Sequence, residues 1–101
     1  HLLTAVVDLY WATIDSAHAA LMSMGEIPPT PEHVPDLIQR TLINNRYMAR
    51  KSADTMRRLY TIYKKITRLE MTDISGKEYD KLKEEAELFI SEMKRIIEKK
   101  K

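Results

Sequence analysis

Residues 2–29, LLTAVVDLYWATIDSAHAALMSMGEIPP, constrain this chain more than any other stretch. Ahead of Gly25 the only carboxylates are Asp8 and Asp15, and there is no Lys or Arg. Val6, Leu9, Tyr10, Thr13, Ala17, Ala20, Leu21 and Met24 spread round most of a helical circumference. A helix apolar over that much of its surface is either enclosed by neighbours or immersed in lipid. Two aspartates, a histidine and several hydroxyls are expensive in lipid. The segment is therefore expected to be the central helix of a bundle, with no membrane contact.

The rest of the chain offers partners for it. A length of 101 residues suits one domain with a modest core. No alternating β-branched run bounded by turns is present, so a sheet is not expected. There is no cysteine, which excludes a disulfide frame and a thiolate metal site and fits a cytoplasmic location. Gly25 is expected to stop the first helix, and Pro28-Pro29 forbid its continuation. Thr30 is expected to cap a second helix over 31–43, with Pro31 at its first position and Pro35 tightening its first turn. Val34, Leu37, Ile38, Thr41 and Leu42 mark its inner face.

Asn44-Asn45 is read as a break, followed by a long third helix over 46–69 with Met48, Ser52, Met56, Leu59, Tyr63 and Ile66 inward. Ser75 and Glu78 have capping-box spacing and start a fourth helix. Its seam is Tyr79, Leu82, Ala86, Phe89, Met93 and Ile96, widened by Ile90 and Ile97. Lys99 and the two lysines after it are expected to fray. The expected fold is all-α: an irregular, up-and-down, antiparallel four-helix bundle. The apolar width of the first and fourth helices exceeds what a small monomer covers, which predicts a homodimer. The chain opens on His1 with a helical pattern already running, so a fragment lacking its native N-terminus is expected.

Charge is unevenly spread. The net charge is +2, yet residues 46–68 carry eight Lys and Arg against Asp54 alone. Arg46, Arg50, Arg57, Arg58 and Lys64, with Tyr60 interleaved and Arg68 beyond, form a candidate surface for a nucleotide or RNA backbone. The competing reading is a solvated face paired with Glu84, Glu85, Glu87 and Glu92 of the fourth helix. On the first helix Asp8, Trp11, Asp15, His18 and Met22 share one face. Asp15 and His18 form a candidate polar pair there, since a carboxylate beside an imidazole orients the ring for acid/base work. The plainer expectation is that the two satisfy each other at an interface. Metal-ligand spacing is missing, no phosphate-cradling Gly-rich loop exists, and Ser16 and His18 lie on different faces. No metal, cofactor or covalent catalysis is expected. Trp11 and the methionines are read as core.

Asp15-Ser16-Ala17-His18-Ala19-Ala20-Leu21-Met22, the turn Gly25-Glu26-Ile27-Pro28-Pro29 and the pair His33-Val34 together resemble the HEPN superfamily, the higher eukaryotes and prokaryotes nucleotide-binding domains. The run Ser75-Gly76-Lys77-Glu78-Tyr79-Asp80 looks like archaeal members. The resemblance implies a helical bundle, often a homodimer, acting in RNA cleavage, in toxin–antitoxin pairs or beside a nucleotidyltransferase domain. Nuclease members carry an Arg followed within about six residues by a His. Here His1, His18 and His33 all precede the first arginine, Arg40, so that motif has no place in the sequence. The leading expectation is a non-enzymatic HEPN-like module binding a nucleotide, an RNA or a protein. The alternatives are the accessory helical half of a nucleotidyltransferase whose catalytic domain lies upstream, and, lowest, a degenerate ribonuclease using Arg57 or Arg58 with Asp15 and His18.

Overall fold

The computed structural model describes residues 2–99, all of whose regular elements are helical. Helix α1 spans Leu2–Ser23. A 3₁₀ turn at Pro31–His33, helix α2 at Val34–Ile38 and a π-turn at Gln39–Ile43 run on as one irregular second helix. Helix α3 spans Arg50–Thr67 and α4 spans Gly76–Lys99. The four pack as an irregular four-helix bundle. Helix α4 has 24 residues; at ~1.5 Å per residue it is about 36 Å long. It thus runs nearly the full 40 Å long axis of the molecule.

Helix α1 is the centre, packing mainly on α4 and then on α3. Val6, Tyr10, Thr13, Ile14, Ala17, Ala20 and Leu21 are its buried residues. They meet Leu82, Ala86, Phe89, Met93 and Ile96 of α4, Met56 and Leu59 of α3, and Val34, Leu37, Ile38 and Leu42 of the second helix in one core. The small Ala17, Ala20 and Ala86 are fully buried. Small side chains at facing positions let helix axes approach closely, so large neighbours interdigitate without voids. Thr13 is buried with its polar end satisfied: the hydroxyl donates to the Leu9 carbonyl at 2.7 Å.

Several expectations change. Helix α3 begins at Arg50, four residues later than the sequence predicts. Arg46 belongs to the preceding turn, with a left-handed φ of 63°. Its N–H donates to Ile43 and the Tyr47 N–H to Leu42, closing the second helix with a Schellman-type turn. The buried Met48 then ties the connection to the core. Thr30 makes no side-chain cap; its hydroxyl donates instead to Glu32 at 3.3 Å. By contrast the Ser75 cap forms, with Oγ accepting from the Glu78 N–H and donating to its carboxylate, both at 3.1 Å. Lys99 is still helical; the expected fraying of the last two lysines, and His1, lie outside the described residues.

Trp11 and Met22 are not core residues: they are 42% and 58% exposed. Of the two residues expected to widen the α4 seam, Ile97 packs against the core and Ile90 is half-buried, while Leu88 is the large apolar side chain of α4 left exposed. Among the described residues, no helix is long and apolar enough to cross a membrane.

Candidate functional site

The structure sorts the predicted basic surface into three sets. Arg58 is committed: its Nη1 donates to both carboxylate oxygens of Glu85 on α4 at 2.6 Å. Arg57 lies 3.6 Å from Asp36 and 3.5 Å from Asp54. Of these pairs only Arg58–Glu85 is of the kind the competing expectation names; the partners of Arg57 come from α2 and from α3 itself rather than from α4. Glu92, also expected to pair with a base, bonds to the start of α3 instead, through the Ala49 N–H and the Ser52 hydroxyl. Arg46 and Arg50 stand at the opposite end of α3 from Lys64 and do not join it.

What remains is a groove at the C-terminal end of α3. Tyr60, Thr61, Lys64, Lys65, Arg68 and Glu70 line about 270 Å³ of open space. Positions 61, 64, 65 and 68 recur at helical spacing, so one face presents all three cations. Lys64 Nζ lies 5.8 Å from the centre of the Tyr60 ring, within cation–π range. Among the described residues, no carboxylate forms an ion pair with Lys64, Lys65 or Arg68. Lys65 was missing from the predicted set; its signal was the Lys64-Lys65 pair followed by Arg68 one turn on.

The groove is braced by aromatic rings from two helices. Tyr10 of α1 stacks on Tyr63 of α3 at 4.2 Å and 10°. Trp11 meets Tyr10 and Tyr63 edge-on, at 5.1 and 5.6 Å. The Tyr60 hydroxyl donates to Glu32 at 3.4 Å. Burial pushes the Tyr10 phenol up to about 12, aided by Tyr63, Tyr60 and Glu32. Tyr60 is also raised, first by desolvation and then by the Glu32 carboxylate, against the opposing pull of Arg68. Both phenols therefore stay neutral through the physiological range.

The Asp15–His18 pair does not form. Asp15 is exposed, while the imidazole is half-buried with Nε2 shut off from water and lacking a hydrogen-bond partner. Residues three apart on a helix differ by ~60° in direction. Here that angle separates the solvent side from the packed flank, so neither an oriented acid/base pair nor a mutually satisfied one exists. Among the described residues no group of three or more His, Asp or Glu side chains is arranged to hold a metal. No family model, curated protein or solved structure matches the chain.

Proposed function

We propose that this chain is a non-enzymatic, HEPN-like helical binding module that takes the phosphates of a nucleotide or RNA in the groove at the end of α3. The observation that carries the reading is the convergence of Lys64, Lys65 and Arg68 beside the half-buried Tyr60, with none of the three engaged in an ion pair among the described residues. Phosphate binding needs cations that are not already neutralised, and an aromatic face lets a base stack beside them. The resemblance to HEPN domains points to the same ligand class. The order of residues, with every histidine ahead of every arginine, speaks for binding without cleavage. These cations also lie at the C-terminal end of α3, where positive charge offsets the negative end of the helix dipole. Binding and stability are separable by measurement.

The test is fluorescence polarisation with a labelled single-stranded RNA of about a dozen nucleotides at two salt concentrations, with a gel to follow its integrity. The expected result is salt-dependent binding without cleavage, weakened about tenfold or more by Lys64→Glu with Lys65→Glu, with the log–log salt slope reduced by about 0.7 per cation lost. Equal losses from Arg57→Ala and from the Lys64/Lys65 change would point to diffuse attraction and remove the groove from consideration.

A further inference from the structure

The outward stripe of α1 runs through Asp8, Trp11, Ala12, Asp15, Ala19 and Met22, and the bundle leaves most of it open to solvent. Trp11 and Met22 are among the few large apolar side chains left exposed. Trp11 does not swing freely: its ring is held edge-on by Tyr10 and Tyr63 on its inner side and open on its outer side. A rigid, half-exposed tryptophan is a favoured anchor at protein interfaces, because it loses little entropy on being covered. Asp8 lies three residues before it and Asp15 four after it, so the carboxylates flank the ring along one line. Neither aspartate forms an ion pair among the described residues, and no Lys or Arg precedes Arg40 in the sequence. Ala12 and Ala19 are small, and Met22 continues the apolar line to about three turns beyond Trp11.

We infer that this stripe docks a basic amphipathic helix from a partner protein. Charge decides between occupants. A second copy apposed two-fold through this stripe brings the Asp8 and Asp15 carboxylates of both chains together, with no Lys or Arg on either α1 to balance them. An anionic lipid surface is repelled for the same reason. A helix carrying two Lys or Arg seven residues apart matches the seven-residue spacing of Asp8 and Asp15. Apolar residues between those two charges would close over Trp11 and Ala12, and another turn or two would reach Met22. From Asp8 to Met22 the stripe is about 21 Å long at ~1.5 Å per residue, so the partner helix needs about fifteen residues. Trp11 touches the aromatic rings behind the α3 groove, but docking on its outer side does not require that groove to bind phosphate.

Trp11 is the only tryptophan, so its emission reports on this stripe alone. The probe is a synthetic Leu/Ala helix of about fifteen residues with two Lys seven apart, compared with the same peptide carrying Glu at those positions. The expected result is a saturable blue shift of Trp11 emission with the Lys peptide and none with the Glu peptide. Polarisation of the labelled Lys peptide should show at least about tenfold weaker binding to Asp8→Asn with Asp15→Asn, and to Trp11→Ala. Asp8 and Asp15 are exposed and Trp11 is half-exposed, and circular dichroism verifies that the variants fold. Absence of a shift, an equal shift with both peptides, or unchanged affinity in the double Asn variant overturns the proposal. So does a homodimer that Trp11→Ala dissociates and that does not bind the peptide, which would assign the stripe to a second copy.

Discussion

Glu92 of α4 caps α3. Its carboxylate accepts the Ala49 N–H at 3.1 Å and also the Ser52 hydroxyl. The first turn of a helix leaves backbone N–H groups without intrahelical partners. Sequence-local caps usually satisfy one of them, but Ala49 has no side chain that can. A carboxylate 43 residues away does so instead, and its charge also meets the positive end of the α3 dipole. One side chain thus fixes both where α3 starts and how α4 is registered against it.

Glu92→Ala should therefore cost more than an ordinary surface change, about 1–2 kcal/mol, in the range of a lost N-cap. In a domain of this size that lowers Tm by about 4–8 °C per kcal/mol. Glu84→Ala and Glu87→Ala, on the solvent side of the same helix, should each stay within about 0.5 kcal/mol. Thermal unfolding of the three variants checks the ranking. Equal shifts would mean that the carboxylate contributes only bulk charge.

The helix ends yield a second prediction. Three helices terminate with the same pair of backbone bonds: Gly25 and Glu26 to Met22 and Leu21, Arg46 and Tyr47 to Ile43 and Leu42, Leu69 and Glu70 to Ile66 and Lys65. Each puts a residue in the left-handed region, with φ of 83°, 63° and 60° at Gly25, Arg46 and Leu69. Glycine adopts that conformation without a Cβ penalty; arginine and leucine do not. Leu69 is also 81% exposed, so its side chain returns little in packing. Leu69→Gly should raise stability by about 0.5–1 kcal/mol, whereas Gly25→Ala should lower it by about 1 kcal/mol through backbone strain alone. The space around Gly25 is open, so no clash contributes. Urea unfolding midpoints of the two variants should move in opposite directions.

The same turns explain which helix boundaries the sequence reveals. Gly25 announces the end of α1, and Ser75 with Glu78 announces the start of α4, because both use residue types selected by the local geometry. Arg46 and Leu69 occupy glycine-type positions without being glycine, so the start and end of α3 are misplaced by pattern alone, whereas the second helix ends at Ile43 as expected. The inner faces were legible throughout, since periodic apolar spacing survives whatever the caps do. Trp11 was not, because on a helix apolar nearly all round the solvent side is chosen by the neighbours. Asp8 and Asp15 did mark that side, and Trp11 lies between them. The groove was half legible: Tyr60, Lys64 and Arg68 could be read from their positions along the helix, but which arginines are neutralised depends on Glu85 and Asp36, partners far along the chain.

Tyr10 ties stability to alkaline pH. Its phenol has an ordinary value of 10.0 and is raised to about 12 in the fold. Between those values the folded state keeps a proton that the unfolded state has lost, so stability falls as pH rises. The contribution is fully present below pH 10.0 and is gone once pH passes about 12. Its size is at most about 2–3 kcal/mol for a shift of roughly two units at a buried group. Tyr60 shifts in the same direction and adds to the loss. Urea midpoints measured from about pH 9 to 12 should drop less steeply for Tyr10→Phe than for the native chain. Parallel curves would show that the Tyr10 proton is not what the alkaline limb reports.

Arg58 and Glu85 give a prediction about binding with an unusual sign. Arg58 lies seven residues before Lys65, hence on the same face of α3. Its charge is spent on Glu85, whose side chain is only 26% exposed. As a partly exposed pair it contributes about 0.5–1 kcal/mol to stability. Glu85→Gln removes the carboxylate's charge and releases the Arg58 guanidinium onto the face that carries the groove. Stability should fall slightly while RNA binding tightens by about two- to threefold, with the salt slope growing by about 0.7 for the added cation. Arg58→Gln should leave affinity close to native, because a neutralised cation contributes little to phosphate attraction. Tighter binding after Glu85→Gln, together with unchanged binding after Arg58→Gln, is the pattern to look for in polarisation titrations. Weaker binding on removing the Glu85 charge would place the nucleic acid on another face of the bundle.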